Sequence, residues 1–263
     1  MSSATVTVID RAQGRMPRAF DREAASETDP IIRARLKQLE ARAKGRDATE
    51  ILELALKEEF AGKSAVVSSF GSESVVLLHM VSRIAPDTPI VFLNTGKLFG
   101  ETLRYRDRLQ DELGLTDIRS LAPDPRERSK EDPDGTLWSR DTDACCSLRK
   151  VRPLKRALAE FEAQITGRKR FQTRARSEMK QVEFFEGRFR FNPLSEWTLA
   201  DLETYVRAHD LPRHPLVEDG YPSIGCIPCT RRVAAGESYR DGRWADTDKD
   251  ECGIHIGIDG EGI

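Results

Sequence analysis

Five cysteines carry the most chemistry in this chain, and their spacing is uneven. Cys145 and Cys146 are adjacent, Cys226 and Cys229 frame a Cys-Ile-Pro-Cys, and Cys252 stands alone in Glu251-Cys252-Gly253-Ile254-His255. Thiolates serve both as metal ligands and as nucleophiles, so four sulfurs are expected to hold a metal centre and the fifth to do covalent work. A Cys-x-x-Cys by itself fits a zinc knuckle, a dithiol redox pair or an iron–sulfur site equally well. Adjacent cysteines chelate a single ion poorly because successive side chains diverge. A bulkier cluster bridges them more comfortably.

A second set of residues suits an anion. The apolar run Ser64–Phe70 feeds Gly71-Ser72-Glu73-Ser74 and then the apolar stretch Val75–Ile84. Strand, small-residue turn and helix in that order aim backbone N–H groups and a helix N-terminus at a phosphate or sulfate. The turn is neither a Walker A loop nor Gly-x-Gly-x-x-Gly. Asn94-Thr95-Gly96-Lys97 ends a second buried run. Basic residues bunch near these features, at Arg149–Arg156, at Arg168–Arg176 and at Arg231–Arg243. The plain reading of any one such run is a solvated face. Three runs beside cysteines and glycines favour a small polyanion.

The elements that must position these groups alternate. Helices are expected from Asp29-Pro30 and over Ala48–Phe60, then strand Ser64–Phe70, helix Val75–Ile84, strand Pro89–Asn94, helix Glu101–Leu113 and strand Ile118–Leu121. Residues 122–144 read as a long polar loop, with Cys145-Cys146 starting the next helix. A strand ends at Gly167, Val182–Phe191 reads as a hairpin turning at Glu186-Gly187, and Thr198 caps a helix to His209. Apolar strands alternating with helices predict an α/β fold, a mostly parallel sheet covered on both faces, with ligands at the carboxyl ends of the strands. The proline-rich stretch 212–229 carries the Cys-x-x-Cys and calls for a staple such as a metal. Residues 1–29 read as a flexible arm, 30–233 as one domain, and 234–263 as a mobile tail bearing Cys252.

The totals exclude some functions. With 263 residues, 33% charged and a net charge of −2, the chain is no general nucleic-acid binder. No run approaches 18 apolar residues and no export segment is visible, so a cytoplasmic protein off the membrane, without structural disulfides, is expected.

Ser68–Ser74, Asn94–Lys97, Cys145-Cys146-Ser147-Leu148-Arg149-Lys150, Gly167–Gln172, Tyr221–Cys229 and Glu251–His255 occur together and in this order. The joint set, over roughly residues 50–255, resembles the adenylyl-sulfate (APS) and phosphoadenylyl-sulfate (PAPS) reductases, with 68–74 similar to their modified PP-loop. Asn94 replaces a common aspartate, Gly100 a proline, and Arg168-Lys169-Arg170-Phe171 a Leu-Arg-Arg-Glu run. The resemblance implies a Rossmann-like, adenine-nucleotide-alpha-hydrolase-like fold. The four paired cysteines look like the iron–sulfur, assimilatory APS branch, with a 4Fe–4S cluster on Cys145, Cys146, Cys226 and Cys229. It further implies that Cys252 attacks the sulfur of APS, forming an S-sulfocysteine and releasing AMP, and that thioredoxin or glutaredoxin then frees sulfite. Substrate contacts are implied at Ser68, Ser69, Phe70, Gly71, Ser74, Asn94, Thr95, Gly96, Lys150, Arg176, Arg240, Arg243 and His255. Rival readings are a PAPS or dual-specificity reductase, a PP-loop ATP pyrophosphatase and a non-catalytic iron–sulfur redox module. Oligomeric state is not written in these residues, which are compatible with a homo-oligomer.

Overall fold

A computed structural model describes residues 26–244, 249, 251, 253 and 254. Its centre is β1 (Ser64–Ser68), flanked by β2 (Ile90–Leu93) and β4 (Ala163–Thr166); β3 (Ile118–Leu121), β5 (Val182–Phe185) and β6 (Arg188–Phe191) complete a six-stranded sheet ordered β3-β2-β1-β4-β6-β5. Every pairing is parallel except β5 on β6. That hairpin turns where expected: Glu186 and Gly187 both take positive φ, 46° and 77°, as a two-residue turn matched to strand twist requires.

Alternation along the strands fills two cores. Val66, Ile90, Phe92 and Ile165 face one cluster with α1 (Pro30–Ala43), α2 (Ala48–Glu53), α3 (Ser74–Ile84), α4 (Gly100–Leu113) and α9 (Leu199–Ala208). Ala65 and Val91 point the other way, onto Leu154 and Leu158 of α8 (Arg152–Leu158) and onto Phe161. Fully burying each such Val, Ile, Leu or Phe contributes about 1.5–3 kcal/mol. The expected parallel sheet with helices on both faces is therefore present. Among the described residues, no helix is long and apolar enough to cross a membrane.

One stretch departs from expectation. Residues 122–144 hold α5 (Pro125–Glu131), α6 (Leu137–Arg140) and α7 (Thr142–Cys146). Asp124 Oδ1 accepts from the Arg126 and Glu127 N–H groups at 2.8 and 3.2 Å, and Asp141 Oδ1 from Ala144 at 2.8 Å. α5 buries no side chain, so it has no apolar stripe to read. Its ends are fixed by caps and by Arg152, which bonds Glu131 at 2.6 Å. The cysteine pair thus closes α7 instead of opening a helix. The chain continues through a π-type turn, Ser147–Val151, into α8.

The proline-rich segment after α9 packs through His214, which is fully buried. Its Nδ1 accepts from the Leu216 N–H at 3.2 Å, leaving Nε2–H to donate to Thr102 Oγ1 at 3.0 Å. Burial holds this imidazole neutral and lowers its pKa to about 4, a drop that nearby Glu101 opposes. An unfolded chain takes up that proton near pH 6.5. Stability is therefore complete above about pH 6.5 and drains as pH falls toward 4, by at most about 3 kcal/mol. Urea midpoints at about pH 7 and pH 4.5 should show this loss, with a smaller one in His214→Gln.

Candidate active site

The turn after β1 meets the proline-rich segment face to face. Ser72 Oγ donates to the Pro222 carbonyl at 2.6 Å, and a Cβ on Gly71 would lie 3.4 Å from the Ile224 carbonyl. Phe70 takes φ 50°, a strained value for a large side chain. Its ring is fixed edge-on to Phe92, 5.3 Å between centroids. The ring is buried in the core, Ser68 Oγ accepts from the Phe70 N–H at 3.2 Å, and Ser69 is exposed. Between turn and segment lies a cavity of about 200 Å³ at the carboxyl ends of β1, β2 and β4, where nucleotide sites form in such sheets.

Of the expected substrate contacts, Ser68, Ser69, Gly71, Ser74, Thr95, Lys150, Arg176, Arg240 and Arg243 line this cavity. Phe70, Asn94 and Gly96 do not. Asn94 Oδ1 accepts from the Gly96 N–H at 3.2 Å, shaping the turn after β2, and Gly96 supplies its positive φ of 69°. Cys252 and His255 lie outside the described residues. Their neighbours Glu251 and Ile254 line the cavity. The expected tail is thus described only in part, and Trp244 at its start is buried.

The paired cysteines gather at one end. Cys226 lines the cavity and its Sγ is 3.3 Å from Thr95 Oγ1. Cys145, on α7, feels the charges of both Cys226 and Cys229, so segments about eighty residues apart in sequence converge. Burial pushes the Cys145 and Cys229 thiols up; Arg149 opposes this at Cys145, and Lys150, Arg243 and Lys249 oppose it at Cys229. Thiols so placed bind metal by giving up protons, and the surrounding cations favour a negatively charged group. Among the described residues, no three His, Cys, Asp or Glu side chains are grouped to hold a single metal ion. Cys145, Cys226 and Cys229 act on one another among these cations, a setting that suits a negatively charged cluster.

Arg149 braces this corner. Its guanidinium donates to the Thr95 carbonyl at 2.6 Å and is ion-paired with buried Asp132, tying the cysteine helix to the turn after β2. Gly225, next to Cys226, leaves room for Arg243, whose guanidinium would collide with any Cβ there. Arg243 also lies over the Trp244 ring at 4.3 Å.

Several pairings in the wall have no signature in the sequence. Lys169, 3% exposed, is ion-paired with Glu73 at 2.5 Å, and Gln172 Nε2 donates to the same carboxylate at 2.8 Å. Burial alone would raise the Glu73 pKa, but Lys169, Tyr239 and Gln172 together hold it below the usual range. Arg176 faces Glu251 and Gln172. Only the position of Glu251, next to the lone cysteine, could have drawn attention to it.

The phosphoadenosine phosphosulfate reductase domain matches residues 63–232. An adenosine 5'-phosphosulfate reductase of Mesorhizobium japonicum is 48% identical over 223 residues, 82% of this chain and 88% of that protein. A phosphoadenosine 5'-phosphosulfate reductase of Gloeobacter violaceus is 39% identical over 201 residues, 74% of this chain and 83% of its own. The crystal structure of a phosphoadenylyl-sulfate reductase from Candida auris superposes with a TM-score of 0.63 at 25% identity, covering 75% of this chain and 96% of that one. A domain match spanning most of the sheet, together with relatives alike over most of both lengths, shows that this chain belongs to the phosphoadenosine phosphosulfate reductase family.

Proposed function

We propose that this protein reduces adenosine 5'-phosphosulfate to sulfite and AMP in the cytoplasm, serving sulfate assimilation, with thioredoxin or glutaredoxin as electron donor. One observation carries the reading: a single cavity is lined both by the Ser68–Ser74 turn and by Cys226, Lys150 and Arg243. The turn's hydroxyls and backbone N–H groups suit the nucleotide. The cations suit the phosphosulfate, whose departing AMP needs its charge stabilised.

The thiolate of Cys252 attacks the sulfur, the S–O bond to phosphate breaks, and AMP leaves with the electron pair. A thiol of the donor then attacks Cys252 Sγ. Sulfite leaves, a mixed disulfide forms, and the donor's second thiol resolves it. The two electrons gained by sulfur come from that dithiol. Cys145, Cys146, Cys226 and Cys229 would hold a 4Fe–4S cluster, which when bound places a compact charged group beside the substrate's anionic end. Lys150 and Arg243, which both act on Cys229 and line the cavity, are suited to bridge the charges of the cluster and of that end.

Charge pairing favours the nucleotide without a 3′-phosphate. Arg168 donates to Glu183 at 2.7 Å, Lys169 to Glu73 at 2.5 Å, and Arg170 to Glu196 at 3.2 Å. An added phosphate would have to compete with a carboxylate at each.

Anaerobic incubation with APS and no reductant, followed by peptide mass analysis, tests the proposal. A single SO3 group on the Cys252 peptide is expected. With 3′-phosphorylated APS in a parallel arm, transfer should be at least about tenfold slower. No adduct from either nucleotide would sink the reading.

A further inference from the structure

The guanidinium of Arg176 is committed within the protein. Nη2 donates to Glu251 Oε2 at 2.6 Å, Nε lies 2.5 Å from Glu251 Oε1, and Nη1 is bonded to Gln172 Oε1. Thr173 Oγ1 adds a bond to Glu251 Oε1 at 3.0 Å. Both partners are buried, Arg176 at 7% and Glu251 at 4% exposed, so the pair is shielded from water and salt. A substrate anion at Arg176 would meet the Glu251 carboxylate already in contact with it.

Glu251 is joined to Cys252 by one peptide bond, so their Cα atoms are about 3.8 Å apart whatever the conformation. Beyond the cysteine, a Cβ on Gly253 would sit 3.2 Å from Val151 Cγ2, and Ile254 packs against the Ala65–Leu154 core. Just before it, Lys249 is ion-paired with Asp143 of α7. The segment is therefore held before the nucleophile, by Lys249 to the cysteine helix and by Glu251 to the turns after β4, and after it by Gly253 and Ile254 against Val151 and the Ala65–Leu154 core.

We infer that Arg176 and Glu251 are positioning residues: the pair anchors the segment that carries Cys252 beside the cavity, and Arg176 acts through Glu251 instead of binding the substrate's anionic end. This rests on the reductase reading above. Loss of the pair leaves the nucleotide's own contacts intact but lengthens the search of the thiolate for the sulfur, and so lowers the rate of transfer without lowering affinity.

The test is a double-mutant cycle on the cluster-loaded enzyme. Single-turnover transfer of SO3 to Cys252 is timed by quenching and mass analysis, and AMP affinity is measured by calorimetry. Arg176→Gln and Glu251→Gln should each slow transfer by about tenfold or more, with the Kd for AMP within about twofold of wild type. The double variant should be no slower than the slower single variant, as for two residues acting as one unit. Glu251→Asp, which keeps the charge, should recover part of the rate. Additive losses, or an AMP Kd raised about tenfold by Arg176→Gln alone, would mark Arg176 as a substrate ligand and overturn the proposal. So would a Glu251→Asp enzyme as slow as Glu251→Gln. A wild-type enzyme that formed no adduct would remove the underlying reading instead.

Discussion

Cys252→Ser is expected to abolish sulfite formation, by at least about a thousandfold, while iron content and AMP affinity stay at wild-type levels. The size of the effect follows from two separate losses. A serine hydroxyl is hardly ionised at neutral pH, so the attack on sulfur lacks its nucleophile. Any sulfate ester formed would also have no Sγ for the donor thiol to attack, so the second step has no route. The groups expected to hold the nucleotide are in the Ser68–Ser74 turn and on Lys150, Arg240 and Arg243. Sulfite release is the measurement, with AMP calorimetry as the control. Turnover within tenfold of wild type would show that another group takes the sulfonate.

The legible parts of the molecule are those that repeat or sit close in sequence. β1 and β2 are short apolar runs ending in small polar turns, and the β5–β6 hairpin announces itself by Glu186-Gly187 between phenylalanines. The cysteines are legible because they are few and paired. α5 was not, since a helix held by an Asp124 cap and arginine–glutamate contacts has no apolar period. The Asp-Pro that opens it is the same signal that opens α1, where Ile32 and Leu39 are buried and give the pattern something to show. The cavity wall was the least readable. Lys169 and Glu73 are 96 residues apart, Arg176 and Glu251 are 75 apart, and no spacing rule couples charges at such distances. In the sequence, Arg168-Lys169-Arg170 looks like an open basic patch. Each of the three is matched by a carboxylate brought in from elsewhere by the topology.

Cys226→Ser should produce the opposite profile to Cys252→Ser. Iron and acid-labile sulfide should fall below about a tenth of wild type, sulfite formation should be lost with them, and the melting midpoint should drop by about 5–10 °C. That drop corresponds to about 3 kcal/mol for a chain of this length, a modest share of what closing a metal site adds to folding. The reason lies in how this segment is joined to the turn after β2. Its links to the turn after β2 are the Leu98–Cys226 bridge, the Ile227 N–H to Lys97 carbonyl bond at 2.8 Å and the Thr95–Cys226 contact. The last of these is lost or altered by the substitution itself. Cys145 and Cys146 reach the same turn separately, through Arg149, and the proposed cluster would join the two cysteine segments directly. Ile227, in the same motif but 51% exposed, is the matched control: Ile227→Ala should change stability by less than about 0.5 kcal/mol and leave iron in place. A Cys226→Ser protein with full iron would break the four-sulfur assignment. A wild-type protein carrying one zinc and no sulfide would replace the proposed cluster with a single ion. Lys150 and Arg243, whose charges act on Cys229, would lose a neighbouring negative charge with the proposed cluster. The cavity's cationic end would then be free to rearrange even though Cys252 is untouched. Loss of activity with the nucleophile present and the cluster absent, set against loss with the cluster present and the nucleophile absent, separates what the four sulfurs do from what the fifth does.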